Sequence, residues 1–260
     1  MMQSSQVDTS PIATEITEMT KRLRLPHMRR NFIDLCTTAK SQRWDPIELL
    51  RVLLETEING RNASTLLMRR AAANLPGNRT LDGFDYSVSS VPNHVIDALS
   101  TLEWIQRREN LVICGPPGTG KSFLSEALAS LSIESGMRVS WFNSESLAQV
   151  VASAKATDTL GSTLAKLKRL DLVIIDDLGI LPVGIAESEA IYRVVEACYE
   201  TTSLIVTSNF AVASFDAILT PKSIAAALVD RLCHHAHLIE TTGESIRLSQ
   251  ALSGKGVVPL

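Results

Sequence analysis

Apolar and polar residues change their rhythm near residue 92, and the change divides the chain into two regimes. Before that point the period is helical. In "PHMRRNFIDLCTTAK" Met28, Phe32, Leu35 and Ala39 fall on one stripe, with Pro26 suited to the first turn. In "DPIELLRVLLETEI" Asp45 reads as an N-cap and Pro46 as the first helical residue, and Ile47, Leu50, Leu54 and Ile58 share a face. Residues 11–74 are therefore expected to form a small all-α domain. Residues 1–10 are polar and without period, as in a disordered tail. Residues 75–92 are rich in Gly, Pro, Asn, Asp and Ser and read as a linker.

Beyond Pro92 short apolar runs alternate with helical stretches. A helix over 93–106 precedes the strand "LVICG" (111–115), and a glycine-rich turn then opens a helix that ends near Gly136. "RVSWFN" (138–143) is a second strand, followed by helices near 145–155 and 159–170. The buried strand "LVIID" (172–176), a helix over 187–200 and the strand "LIVTSN" (204–209) come next. The domain, residues 93–250, is expected to close on a helix over 221–235 and a hairpin through "HLIETTGESIRLS", with 251–260 as a tail. This alternation predicts an α/β fold with a mainly parallel sheet covered on both faces.

Composition narrows the class. The 260 residues are 45% hydrophobic and 20% charged, enough for one sizeable core and a small accessory domain. No apolar run has membrane-spanning length, and no charged-then-apolar leader opens the chain. Cys36, Cys114, Cys198 and Cys233 are scattered without a CxxC pair, which suits a reducing, cytoplasmic setting. The net charge of −3 hides an asymmetry: residues 1–80 carry 12 basic and 8 acidic side chains. A basic front part can touch nucleic acid, although a solvated helical face is the commoner meaning of such a bias.

The chemistry concentrates at strand ends. "GPPGTGKS", from Gly115 through Pro116, Pro117, Gly118, Thr119 and Gly120 to Lys121 and Ser122, fits the Walker A spacing in a strand–loop–helix context. Glycines let backbone N–H groups converge on phosphate oxygens, Lys121 reaches the β- and γ-phosphates, and the helix N-terminus adds its dipole. With Phe123 next in line, these are the expected ATP-binding residues. Asp176 ends the apolar strand "LVIIDD" and would hold Mg²⁺ beside the Ser122 hydroxyl; Asp177 would orient or activate the attacking water. Asn209 ends the next strand, where it would position water near the γ-phosphate, or cap the following turn, or both.

These words, "GPPGTGKS", "LVIIDD", "TSN" and a late arginine, resemble the AAA+ ATPases. With "LRLPHM" (23–28), "RTLDGFDYS" (79–87), "IIDDLGILP" and "AAALVDRLCHHAHLIETTGESIRL", the chain more closely resembles the IstB family, helper ATPases of insertion-sequence transposition, from Leu23 to Leu248. The resemblance implies a cytoplasmic, Mg-dependent ATPase that self-assembles on duplex DNA, remodels it and delivers it to a transposase. It implies sites shared between subunits, with Arg231 in "VDRL" as an arginine finger and Arg247 in "GESIRL" as a second sensor of phosphate. The alternatives are an arginine paired with Asp230 or a glutamate for the first, and hairpin pairing with Glu240 for the second. Helices between the second and third strands would face DNA, with Lys155, Lys166, Lys168 and Arg169 on phosphates without reading sequence. Arg69 and Arg70 form a second candidate patch. Position 177 is Asp where Glu is commoner in AAA+ proteins, which also admits a switch that binds ATP and barely hydrolyses it. DnaC-type helicase loaders and small-molecule P-loop kinases are the other readings.

Cys233-His234-His235-Ala236-His237 offers four ligand side chains within five positions. Zinc sites draw donors from separated elements, and no second Cys/His cluster exists to complete one. A structural or helix-terminal role is the expectation.

Overall fold

The computed structural model describes residues 10–179 and 184–252, with side chains as far as Ser249. Of the expected tails, residues 1–9 and 253–260 lie outside the described residues. The chain divides into two compact units, Met1–Met68 and Arg69–Leu260. Among the described residues no helix is long and apolar enough to cross a membrane.

The first unit holds α1 (Pro11–Arg22), α2 (Pro26–Gln42) and most of α3 (Pro46–Ala73). The Ser10 hydroxyl caps α1 by accepting the Ala13 N–H (3.2 Å), and the Asp45 carboxylate caps α3 by accepting that of Ile47 (2.8 Å). Ala13, Phe32 and Leu53 form the core, with Met28, Leu35 and Leu49 against it. The inward face of α3 differs from the expected one. Ile47, Leu50, Leu54 and Ile58 are all exposed, whereas Leu49, Leu53 and Glu57 turn inward. The reason is polar. Buried Glu57 accepts the N–H groups of His27 and Met28, both at 2.9 Å, and so closes the first turn of α2. Burial pushes its carboxyl up, but the Arg61 guanidinium (2.6 Å) and the two amides outweigh this and hold it below the usual range. One turn on, Gly60 lies so close to the His27 ring that a Cβ would collide with it. A helical face aligned on Glu57 and Gly60 is not the most apolar face of the sequence.

The second unit is a five-stranded, wholly parallel sheet in the order β2-β3-β4-β1-β5, built from β1 (Asn110–Cys114), β2 (Val139–Asn143), β3 (Leu172–Leu178), β4 (Ser203–Ser208) and β5 (Ala236–Glu240). The expected helix over 93–106 is two, α4 (Asn93–Ser100) and α5 (Glu103–Gln106), separated at Leu102 by a left-handed backbone (φ +59°). α6 (Lys121–Glu134) follows the glycine turn and ends before Gly136 (φ +91°). α7 (Ser144–Ala156) and α8 (Leu160–Leu167) join β2 to β3, and α9 (Ile185–Cys198) joins β3 to β4. α10 (Phe215–Ile218) and α11 (Lys222–Cys233) lead into β5.

The expected C-terminal hairpin does not form. "HLIE" pairs in parallel with β1, Leu111 opposite His237 and Ile113 opposite Ile239, and "GESIRLS" turns into α12 (Ile246–Leu252). The short apolar run carries no information about strand direction, and the Asn110 side chain braces the parallel arrangement. Its amide donates to the Leu232 carbonyl (2.9 Å) and its oxygen accepts the Leu204 N–H (3.0 Å), tying the ends of α11 and β4 to the start of β1.

Strand residues alternate between two buried faces. Val112, Val173, Ile175 and Val206 join one core with α7, α9 and α11; Leu111, Ile113, Leu172 and Ile174 are fully buried on the other face, against which α6 lies. The carboxyl ends of β1, β3, β4 and β5 therefore share one edge of the sheet, where ligands of open parallel sheets bind.

Candidate active site

A cavity of about 440 Å³ opens at that edge. The loop after β1 forms its floor. Lys121 starts α6 and is 4% exposed. Its ammonium donates to the carbonyls of Gly115 and Pro116 (both 2.7 Å) and to Asn209 Oδ1 (2.8 Å). Burial pushes its pKa down, against the upward pull of Asp177 and Asp176. Gly115 and Gly118 are needed for packing as well as for their positive φ. A Cβ on the first would meet the Thr241 carbonyl, and one on the second the Ser245 side chain. The segment after β5 thus lies directly on the loop: Thr241 Oγ1 is 2.7 Å from Thr119 Oγ1, and the Ile246 N–H donates to the Gly118 carbonyl (3.0 Å). This contact brings Arg247 to the cavity wall within its own chain, and the alternative of hairpin pairing with Glu240 falls away with the hairpin.

Two consecutive strand residues normally face opposite sides of a sheet. Asp176 and Asp177 nevertheless converge, because the register between β3 and β4 slips there by one residue. Ile175 pairs with Val206 and Leu178 with Ser208, leaving two aspartates opposite Thr207, and Asp177 takes a left-handed backbone (φ +60°). The Thr207 hydroxyl locks the bulge by accepting the Asp177 N–H (2.9 Å) and donating to Asp176 Oδ1 (2.5 Å). That same oxygen accepts the Ser122 hydroxyl at 3.0 Å. A hydroxyl and a carboxylate side by side are a hard oxygen pair of the kind that Mg²⁺ prefers. Asp177 lines the cavity with Lys121, Asn209 and Arg247. Burial, then the neighbouring Asp176 charge, raises its pKa above the ordinary aspartate value.

The remaining wall comes from residues 79–89, to which the sequence reading gave no chemical role. Arg79, Phe84, Asp85 and Val88 line the cavity. Phe84 meets Phe123 edge-on (5.5 Å between centroids), and the Arg79 guanidinium lies over the Phe123 ring at 5.4 Å. α6 grips this strap through its side chains. Glu126 Oε1 accepts the Arg79 N–H (3.1 Å) and the Ser130 hydroxyl donates to the Arg79 carbonyl (2.9 Å). The aromatic and the cation in "RTLDGF" were the available signal, but the sequence does not place them beside the loop after β1.

Other expected residues lie elsewhere. Arg231 is not among the cavity residues. Its guanidinium sits over Tyr192 (5.3 Å) and 3.6 Å from Glu196 on α9, so within one chain the glutamate pairing is the one observed. Lys155 pairs with Glu189 (3.1 Å), while Lys166, Lys168 and Arg169 are exposed around the end of α8. Arg69 and Arg70 are half-buried, Arg70 being paired with Glu134 at 2.6 Å. The "CHHAH" run disperses. Cys233 packs against the core, His237 is held by Glu109 (2.7 Å), and His234 and His235 meet Glu200.

Known proteins are similar to this chain in sequence and in fold. Residues 18–254 match the family described as IstB-like ATP binding protein. The chain is 30% identical over 237 residues to an ATP-binding protein of insertion sequence IS21 from Pseudomonas aeruginosa, covering 91% of this chain and 89% of that one. It is equally identical over 236 residues to one of insertion sequence IS5376 from Geobacillus stearothermophilus, covering 90% and 94%. Among solved structures it is similar in fold to the replication initiator DnaA bound to AMPPCP and single-stranded DNA. That match has a TM-score of 0.53 and 20% identity, over 70% of this chain and 56% of the other.

Proposed function

The chain belongs to the family of IstB-like ATP-binding proteins and has an AAA+ P-loop fold, and from that premise we propose that it hydrolyses ATP while assembled on duplex DNA and readies that DNA for a transposase. The observation that carries the reading is the convergence of Lys121, Ser122, Asp177, Asn209 and Arg247 on one cavity, with buried Asp176 hydrogen-bonded to the Ser122 hydroxyl.

The chain's own groups divide the work. A phosphate reaching the loop competes for the Lys121 ammonium with two carbonyls and Asn209, and its negative charge wins over neutral acceptors. Lys121 moving onto phosphate frees Asn209 Oδ1, which then has a water to hold. Asp177, ionised, accepts a proton from that water or fixes its direction. Arg247 places a second cation on the terminal phosphate. The phosphate-loop hydroxyl of Ser122 and the Asp176 carboxylate would hold Mg²⁺, which when bound neutralises the charge developing on the phosphates. The strap around Phe84 and Phe123 supplies an apolar and aromatic wall for the base. Arg231 is assigned to the cavity of a neighbouring subunit.

The partner assignment has a separate basis. The curated relatives are ATP-binding proteins of insertion sequences, which favours a transposase over a replicative helicase. The similar replication initiator binds single-stranded DNA. The exposed Lys166, Lys168 and Arg169 are suited to phosphate contacts without sequence reading. The test is phosphate release with and without duplex DNA, alongside electron microscopy of protein, Mg-ATP and DNA. DNA-stimulated release and ordered assemblies enclosing DNA are expected. Turnover indifferent to DNA, with no assembly, would sink the reading, and a phosphorylated small molecule would replace it with a kinase.

A further inference from the structure

At the opposite edge of the sheet from the cavity, just ahead of β4 and β5, Glu200, His234 and His235 bring one ligand atom each to within 4.8 Å of one another. We propose that these three residues bind a divalent transition-metal ion of the zinc class. Glu200 comes from the turn after α9, in a left-handed backbone (φ +55°), and the two histidines follow α11. The donors thus come from two elements, which spacing along the sequence could not show, because Glu200 stands 34 positions before His234.

Three features favour a metal over a chance surface cluster. The His235 Nε2 atom is 3.8 Å from Glu200 Oε1, too far for a hydrogen bond. It is close to the separation of roughly 3.4 Å that two donors adopt around a tetrahedral ion with bonds of about 2.1 Å. His234 Nδ1 is already engaged by the Tyr199 hydroxyl at 2.8 Å. In the tautomer that protonates Nδ1, Nε2 is left free to ligate, and the Tyr199 oxygen accepts the outer hydrogen bond that ligating histidines characteristically make. Both helices also present their C-terminal carbonyl ends here, which favours a cation. Two imidazoles and one carboxylate select zinc, cobalt or nickel over the hard cations Mg²⁺ and Ca²⁺. All three side chains are exposed, so they are free to contract around the ion, and a fourth position stays open to water.

Such an ion would tie α9 to α11. One turn away the Arg231–Glu196 pair bridges the same two helices, so the metal would hold the helix that carries Arg231. The site is distinct from the Ser122–Asp176 pair and does not depend on the reading of that pair.

The test uses the full chain without a histidine tag, stripped by chelator. Co²⁺ titration should give visible d–d absorption, displaced by Zn²⁺. Glu200→Gln, His234→Ala and His235→Ala should each weaken binding at least tenfold, and the double histidine variant should abolish it. Cys233→Ser and His237→Ala should bind as wild type. Zn²⁺ should raise the melting temperature of wild type and not of Glu200→Gln, whose metal-free melting should match wild type. A wild-type chain that takes no Co²⁺, or binding that survives in both Glu200→Gln and His235→Ala, overturns the proposal.

Discussion

Asp177 holds a left-handed backbone that a non-glycine residue rarely adopts, with the Thr207 hydroxyl on its N–H and a second carboxylate beside it. Conformations of this kind cost about 1–3 kcal/mol and persist where the surroundings enforce them. The charge adds to the cost. A carboxyl whose pKa is raised in the folded protein binds its proton more tightly there than in the unfolded chain. It therefore favours folding at low pH and opposes it above its folded pKa. Asp177→Asn should accordingly raise the melting temperature at neutral pH. That gain should vanish as pH falls below the ordinary aspartate range, where the wild-type carboxyl is protonated in both states. The same variant should retain ATP binding and lose turnover, since an amide is a poor proton acceptor. Wild-type turnover should in turn fall with acidification at a higher pH than an unperturbed aspartate would give. Melting curves and single-turnover rates over a pH series check both signs; wild-type turnover in the variant removes Asp177 from the chemistry.

At the scale of elements, the loop, the two apolar strands with acidic or amide ends, and the strand–helix alternation were legible, because each rests on local spacing. The bulge between β3 and β4 was not, since a slip of one residue leaves no mark in the pattern "LVIIDDLG". Nor was the inward face of α3, chosen by a capping glutamate and a glycine rather than by leucines. The strap at 79–89 reads as a linker by composition, yet it forms a cavity wall because α6 holds its backbone. Glu126 is the buried part of that grip, 1% exposed, with Oε2 3.5 Å from an Arg79 guanidinium nitrogen. Glu126→Ala strands the Arg79 N–H and should destabilise the chain by about 1–3 kcal/mol. If the strap serves the nucleotide, the KM for ATP should also rise several-fold, with a smaller change in kcat. Glu126→Gln, which keeps an acceptor for the N–H, should recover most of the KM. A loss of stability with KM unmoved would leave the strap a purely structural element.

At the scale of the whole molecule, the residues assigned to phosphate come from the carboxyl-end edge of the sheet, except Arg231. It stands on the helix that leads into the amino end of β5 and lies outside its own chain's cavity. An arginine that serves catalysis from there must serve another subunit. Removing an arginine finger costs on the order of 10³–10⁵ in rate, whereas breaking a half-exposed ion pair costs about 0–1 kcal/mol. Arg231→Ala should therefore bind ATP almost normally and turn it over very slowly. Glu196→Gln, which removes only the charge paired with Arg231 within the chain, should keep most of the activity. Mixing separates the subunits' roles. Asp177→Asn chains still carry Arg231, and Arg231→Ala chains still carry Asp177. Each should be nearly inactive alone, and together they should regain part of the ATPase activity at interfaces that pair one intact group from each. Sedimentation with DNA must first show that the two variants coassemble. With coassembly established, a mixture as inactive as its components would confine Arg231 to its contacts with Tyr192 and Glu196.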